Sequence, residues 1–112
     1  MQAEGTGKST WKPGMEVTEE HIREAMKDAP LQTQQSAVSL PAINLYTQRL
    51  SNDEMPPPIK VDNKIIVDGN HRYISGRVSG VDITITPYLG GMPNSVVKWG
   101  NVKIDPFDWG NK

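Results

Sequence analysis

One short segment of the chain carries residue types that suit phosphate chemistry. Asp68, Gly69, Asn70, His71 and Arg72 are consecutive, and they directly follow an apolar run of β-branched residues. A strand that turns through glycine into a helix presents unpaired N–H groups at the helix N-terminus, where the helix dipole also favours anions. The backbone of this corner is therefore predicted to cradle a phosphate.

The side chains of the same corner supply the other groups that hydrolysis of a phosphate ester needs. Arg72 is a permanent cation that stabilises charge developing on phosphate in the transition state. His71 is predicted to act as general acid or base. Asp68 is predicted to orient the attacking water or to bind a divalent ion such as Mg²⁺. In the structural alternative Asp68 caps the helix, His71 packs and Arg72 is solvated, and the residue types leave both interpretations open.

A second glycine-rich segment, residues 5–10, has the letters of the end of a P-loop. A complete P-loop needs another glycine five residues before Gly7, where this chain has Gln2. It also needs a buried strand upstream, and only residues 1–4 precede the segment. We therefore interpret residues 1–14 as a flexible N-terminal arm.

Length and composition limit the possible classes. A chain of 112 residues supports one domain with one modest core. The absence of cysteine excludes disulfides, thiolate metal sites and cysteine nucleophiles. No apolar run approaches about 18 residues, so no membrane span is predicted. The first residues also lack the apolar segment of a secretory signal.

The charge distribution is close to balanced but uneven along the chain. Twelve basic and thirteen acidic residues give a formal net charge of −1, which argues against a protein that coats DNA electrostatically. Residues 1–59 carry five basic and eight acidic side chains, whereas residues 60–112 carry seven basic and five acidic ones. An anionic ligand is therefore expected at the second half of the chain. An asymmetry of this size also arises by chance, which is the alternative explanation.

Apolar spacing and turn residues predict the elements that position the corner. Thr18 begins a short amphipathic helix that Pro30 stops, with His21 at the position that glutamate holds in a capping box, so that motif is incomplete. The other predicted elements are a strand at 37–40, a helix at 41–52, a hairpin of 59–61 with 65–67, a helix around 73–78 ended by Gly80, a strand at 81–86, and short strands at 96–98 and 102–104. These elements predict an α+β domain with a small mixed β-sheet and flanking helices, in which residues 15–36 form a helical lead-in and residues 37–112 the core.

The chain from about Val38 to Thr86 resembles the ParB/sulfiredoxin-like domain. The matching segments are Val38-Ser39-Leu40-Pro41-Ala42-Ile43, Pro57-Pro58-Ile59-Lys60-Val61 and Ile66-Val67-Asp68-Gly69-Asn70-His71-Arg72, followed by a helix that ends at Gly80. The resemblance covers about 50 of the 112 residues. It implies a nucleotide or phosphate bound over Gly69–Arg72.

The same resemblance implies roles for individual residues. By position, Asn70, His71 and Arg72 would contact phosphate, and Asp68 would be the candidate metal or base residue. The helix before the proline run borders the nucleotide site in this fold, so Arg49 is a further candidate for phosphate binding. Lys60 takes the opposite face of its strand from its apolar neighbours and is a candidate for lining the cleft. An exposed helix or strand surface is the alternative for both cations.

The family includes partition proteins that bind CTP, sulfiredoxins, a serine kinase, and nuclease or NTPase domains at the C-termini of bacterial polymorphic toxins. A chain without cysteine departs from the sulfiredoxins, and the 40 residues after Arg72 do not supply the helix-turn-helix of a partition protein. The resemblance therefore favours an antibacterial effector toxin domain that hydrolyses phosphate esters, as a nuclease acting on DNA. Such a domain is delivered as part of a larger secreted protein, acts in the cytoplasm of the target cell and has a cognate immunity protein.

Two other functions remain open from the sequence. One is an ATPase or nucleotidase toxin that depletes free nucleotides, which the near-neutral charge favours over a nuclease. The other is a non-catalytic nucleotide-binding module that uses its ligand as a switch. Nucleic acid is the expected partner of the nuclease, and a free nucleotide that of the two alternatives.

Overall fold

The computed structural model describes residues 2–3 and 9–109. Within these ranges the chain alternates short strands with three α-helices. The strands are β1 Gln2–Ala3, β2 Ala37–Ser39, β3 Ile59–Asp62, β4 Ile65–Asp68, β5 Ile83–Pro87 and β6 Lys103–Asp105, and the helices are α1 Glu19–Met26, α2 Leu40–Ser51 and α3 Asn70–Ser79. Two 3₁₀ turns, Pro93–Ser95 and Trp99–Asn101, lie between β5 and β6.

The strands divide between two small sheets rather than the single mixed sheet that the sequence predicted. The larger sheet has the order β1-β5-β3-β4, in which β3 is parallel to β5 and antiparallel to β4. β2 and β6 form a separate parallel pair. The fold is therefore a small α+β domain, as expected. Its strand β6 pairs with β2, which is distant from it in the sequence.

The β3–β4 hairpin is confirmed, and it brings the chain to the predicted corner. Asn63 takes the left-handed conformation with φ 59°, which allows a tight connection between the strands. Ile59 and Val61 are buried while Lys60 is half-buried on the other face, as strand alternation requires. The following strand, β4, ends at Asp68, directly before the N-terminus of α3.

Helix α3 begins at the corner and lies at the centre of the molecule. Eight of its ten residues are buried, and it packs against both α1 and α2. Gly76 allows β5 to approach closely, since a Cβ there would lie 2.6 Å from Ile83 Cγ1. Gly80, with φ 77°, ends the helix as predicted. The core around it includes Ile43, Ile59, Ile66, Tyr73, Ile74 and Ile83.

The start of α1 corrects one sequence expectation. His21 completes the capping box in place of glutamate, because its Nδ1 accepts a hydrogen bond from Thr18 N at 3.1 Å. His21 N in turn donates to Thr18 Oγ1 at 3.3 Å. An imidazole nitrogen thus accepts where a carboxylate normally does.

The described part of the N-terminal arm packs on the domain, whereas a flexible segment was expected. Trp11 is buried in the core, and Ser9 Oγ donates to the carbonyl oxygen of Val78 at 3.2 Å. Ala3 pairs with Ile83 in the larger sheet. Most of the segment with P-loop letters, residues 5–8, lies outside the described residues.

Candidate functional site

The corner between β4 and α3 has the backbone geometry of an anion cradle. Gly69 is the N-cap of α3 in a left-handed conformation, and no side chain caps the helix there. The first hydrogen bond of this helix runs from Tyr73 N to Gly69 O at 2.9 Å. The N–H groups of residues 70–72 therefore have no acceptor inside the helix, and the positive end of the helix dipole lies beside them.

Glycine is required at position 69 for two reasons. Its φ of +102° is unfavourable for any residue with a Cβ. A Cβ would also lie 2.5 Å from Ile59 Cγ2 and 2.7 Å from Arg72 Nη2. The tight turn therefore brings the α3 N-terminus close to β3.

The uncapped N-terminus borders a cleft of about 430 Å³. That volume falls in the range of small-ligand sites, roughly 300–1,000 Å³. The lining residues are Gln35, Tyr46 and the continuous segment Val67–Arg72. All five residues of the predicted corner therefore meet at one cleft. The sequence analysis missed two lining residues, Tyr46 and Gln35. Tyr46 precedes Arg49 by three residues and lies on the same helix face, so it could have been found. Gln35 has no signal in the sequence.

Arg72 and Asp68 form an ion pair at the edge of the cleft. Arg72 Nη2 lies 3.1 Å from Asp68 Oδ2, and the side chain of Arg72 is only 13% exposed whereas that of Asp68 is 62% exposed. A pair this open to water contributes at most about 1 kcal/mol to stability. It holds the guanidinium in place while leaving the carboxylate accessible, so an incoming phosphate can compete for the same cation.

His71 is buried and bonded to backbone, a different environment from the one expected of an acid or base. Its Nε2 accepts a hydrogen bond from Ser39 N at 2.9 Å, which requires that nitrogen to be unprotonated. The edge of the Trp109 ring packs on the imidazole, with the ring centroids 5.4 Å apart and the planes at 88°. His71 thereby connects α3 to the N-terminus of α2 and to the end of the chain.

Asn70 also directs its side chain into the protein. Its Oδ1 accepts a hydrogen bond from Thr33 Oγ1 at 2.7 Å, and both side chains are buried. This bond joins the start of α3 to the connector that precedes β2. The backbone N–H of Asn70, rather than the amide oxygen of its side chain, is the group that suits an anion in the cleft.

Arg49 and Lys60, the two further candidates for phosphate binding, lie in different parts of the structure. Arg49 is exposed and lines an adjoining cleft of about 460 Å³, which shares Tyr46 and Arg72 with the first cleft. Lys60 lines neither cleft, and its ammonium lies 4.6 Å from the centroid of the Tyr88 ring. The structure thus places Arg49 next to the corner and directs Lys60 to an aromatic ring on the sheet surface.

The end of the described chain folds over His71. Asp105 Oδ1 accepts from Phe107 N at 2.9 Å, and its Oδ2 accepts from Trp109 Nε1 at 3.1 Å. These two bonds, the first more than the second, lower the pKa of the Asp105 carboxyl. Ser39 Oγ donates to Phe107 O at 2.9 Å. Residues 105–109, here called the C-terminal segment, therefore cover the imidazole.

Asp68 is the candidate Mg²⁺ ligand at the corner. Within residues 9–109, no three acidic or histidine side chains converge on one point. Asp68 supplies one carboxylate, and the Arg72 guanidinium already neutralises it. A Mg²⁺ ion at Asp68 remains a prediction of the sequence.

Comparison with known proteins leaves the family of this chain open. No family model, curated protein or solved structure matches it. Among the described helices none has the length and apolar character needed to cross a bilayer. The function is therefore inferred from the chemistry of the cleft.

Proposed function

We propose that this domain binds phosphate at the β4–α3 corner and hydrolyses a phosphate ester there, as a ParB/sulfiredoxin-like nuclease with DNA as substrate. One observation carries the proposal. The N-terminus of α3, with left-handed Gly69 and no side-chain cap, opens into a cleft beside the guanidinium of Arg72. Backbone N–H groups and a fixed cation at one point are what a phosphate dianion or diester requires.

Each group of the corner has a role in this proposal. The backbone N–H groups of Asn70 and Arg72 and the Arg72 guanidinium hold the phosphate oxygens and stabilise charge in the transition state. Asp68, exposed at the edge of the cleft, orients the attacking water and takes its proton. The water oxygen bonds to phosphorus as the ester P–O bond breaks, and the leaving oxygen takes a proton from solvent. Asp68 and Arg72 are thus the proposed catalytic residues.

His71 has a positioning role in this proposal rather than the acid–base role expected from the sequence. Proton transfer through Nε2 would require breaking its bond with Ser39 N, which lies in the buried interior. The imidazole instead fixes α3 against α2, so that the cleft keeps its shape. Arg49, in the adjoining cleft, is a secondary cation for a longer substrate.

A non-catalytic nucleotide-binding module is the second candidate. This candidate is favoured because the two side chains that could transfer a proton already have partners. Asp68 forms an ion pair with Arg72, and His71 accepts a hydrogen bond from Ser39 N. The ATPase or nucleotidase is a third outcome, which the small cleft and the net charge of −1 favour over a broad DNA surface. All three share the phosphate cradle and differ in turnover and substrate.

Purified protein distinguishes these candidates. Plasmid DNA, RNA and ATP are each incubated with the wild type, with Arg72→Gln and with Asp68→Asn, in buffers with and without Mg²⁺. Lys64→Gln is the matched control, because Lys64 is an exposed lysine of the hairpin turn that lines neither cleft. We expect DNA cleavage to fall about 100-fold in Arg72→Gln and to stay unchanged in the control.

Other results would change the assignment. Phosphate release from ATP without DNA cleavage would select the nucleotidase. A rise in Tm with ATP that Arg72→Gln abolishes, without turnover of any substrate, would select the binding module. Cleavage that persists in both Arg72→Gln and Asp68→Asn would contradict the proposed site.

The biological setting is proposed on the resemblance: an antibacterial toxin domain delivered within a larger secreted protein to the cytoplasm of a target cell, with a cognate immunity protein as partner. Induction of this chain in bacteria should arrest growth, and Arg72→Gln should relieve the arrest at equal protein level. The DNA, RNA and nucleotide pools of the same cultures identify the substrate. Equal growth of wild type and variant would remove the toxin proposal and leave the phosphate site to the assays above.

A further inference from the structure

A second cleft, of about 470 Å³, lies between α1 and the segment that leads into β6. It shares no lining residue with the phosphate corner. Its floor consists of buried apolar side chains from four different elements and the loop beside β6, and Trp99 forms one wall. The floor residues are Ile22, Met26, Val38, Ile74, Val102 and Ile104.

The described residues on the rim of this cleft carry positive charge only. Arg23, Lys27 and Lys98 line it, and none of the described lining residues is acidic. Arg23 is held in place because Nη1 donates to Trp99 O at 3.0 Å, while its Nη2 lies 3.6 Å from a carboxylate oxygen of Glu19. Lys27 and Lys98 are exposed, and neither forms a salt bridge with the described carboxylates.

Three cations therefore surround an apolar cleft in a chain whose formal net charge is −1. The apolar floor excludes a strongly hydrated ion such as free phosphate, since nothing there replaces its water. An apolar body fits the floor, and a single negative charge at its end fits the two unpaired ammonium groups. The size of the cleft matches a small molecule rather than a protein surface.

We propose that this cleft binds a small amphipathic anion, a carboxylate with an apolar chain. The apolar chain packs on the partly exposed side chains of Ala29 and Trp99, above the buried floor, and the carboxylate lies between Lys27 and Lys98. This site is independent of the phosphate corner, so its ligand binds whether or not the domain is a hydrolase. Trp99 forms one wall of the cleft and reports occupancy through its fluorescence.

The test uses decanoate and the neutral decanol as probes, each below the concentration at which it aggregates. Titration calorimetry and tryptophan fluorescence measure binding to the full chain. The double variant Lys27→Gln/Lys98→Gln should weaken decanoate about three- to tenfold and leave decanol unchanged. The matched control is Lys12→Gln/Lys64→Gln, which removes two exposed lysines that do not line the cleft and should leave both probes unaffected.

A blocking variant completes the test. An ideal Cβ at Gly100, which lines the cleft, meets no atom within 4 Å, so a side chain can begin there, and Gly100→Leu adds apolar bulk to the lining. With an unchanged circular dichroism spectrum, this variant should lose both probes. The proposal is overturned if neither probe binds the wild type, if decanoate and decanol respond alike to the lysine changes, or if folded Gly100→Leu binds both probes as the wild type does.

Discussion

Gly69 holds φ +102° between β4 and α3, and a Cβ there would lie 2.5 Å from Ile59 Cγ2. Gly69→Ala therefore combines an unfavourable backbone conformation with a clash against a fully buried side chain. We expect it to lower the free energy of unfolding by about 2 kcal/mol or more. Urea denaturation measures this loss.

Gly100→Ala is the internal comparison for that experiment. Gly100 has no positive φ, and a Cβ there has no neighbour within 4 Å. The substitution is expected to be neutral or slightly stabilising, because it removes conformational freedom from the unfolded chain. Equal losses in the two variants would mean that the corner tolerates a Cβ and relaxes around it.

His71 is the residue at which a positioning role and a catalytic role predict different results. His71→Ala removes the acceptor of Ser39 N and leaves a buried N–H unsatisfied beside a cavity, at a cost of about 2–4 kcal/mol in unfolding free energy. His71→Gln offers a carbonyl oxygen near the position of Nε2. It should retain about 1 kcal/mol more stability than alanine does.

Activity of the glutamine variant then separates the two roles. Glutamine cannot exchange a proton as imidazole does, but it can accept from Ser39 N. Retained phosphate hydrolysis in folded His71→Gln supports positioning. If the variant is as stable as expected and yet inactive, with ATP still raising its Tm, His71 is a catalytic residue and the assignment above is wrong.

At the scale of elements, the C-terminal segment depends on the ionisation of Asp105. Hydrogen bonds from Phe107 N and Trp109 Nε1 lower the pKa of this carboxyl in the folded chain. Its stabilising contribution is therefore present above the usual aspartate range and is lost as the pH falls through the lowered pKa. Acid should release Trp109 from Asp105 and expose His71.

The indole N–H resonance of Trp109 follows this release. It should move with pH in the acid range in the wild type and become insensitive there in Asp105→Asn, which cannot ionise. Asp28→Asn is a suitable control, because Asp28 is exposed and lies outside this segment. A Trp109 resonance that titrates identically in wild type and Asp105→Asn would show that another group controls the segment.

Elements with local determinants were predictable. The β3–β4 hairpin, α2 with Pro41 in its first turn and the end of α3 at Gly80 follow from turn and terminal residues within a few positions, whereas the Ser39 cap of α2 was not predicted. The incomplete capping box was a wrong prediction because a histidine nitrogen accepts where only glutamate was considered. A capping rule names the residues that most often accept the hydrogen bond at a position, and other residues with a suitable acceptor can also accept it.

Contacts between distant segments were not predictable. The parallel pairing of β2 with β6 joins Val38 to Ile104, and the bond from Ser39 N to His71 Nε2 spans 32 positions. The corner residues were found because they are consecutive. The burial of Asn70 was not predicted, and the packing of His71 was one of two open interpretations, since Thr33 and Trp109, which contact these two residues, carry no signal in the sequence that points to them.

For the whole molecule, charge limits the class of partner that the β4–α3 corner, residues 68–72, can bind. The net charge is −1, and among the described residues the cations that line the cleft and the adjoining cleft are Arg72 and Arg49. Lys60 lies over Tyr88 instead. A duplex bound at this corner would therefore have about two phosphates neutralised, and the logarithm of its binding constant should fall with the logarithm of salt concentration with a slope of roughly −2.

Fluorescence anisotropy of a labelled short duplex, measured over a series of salt concentrations, gives this slope. Arg49→Gln should reduce its magnitude by about one, because one counterion fewer is released, while Lys60→Gln should leave it unchanged. A slope of about −6 or steeper would require a wide basic surface and contradict a compact site. A shallow slope that depends on Arg49 would instead mean that the domain engages DNA through a few phosphates at one corner, a mode equally suited to a single nucleotide.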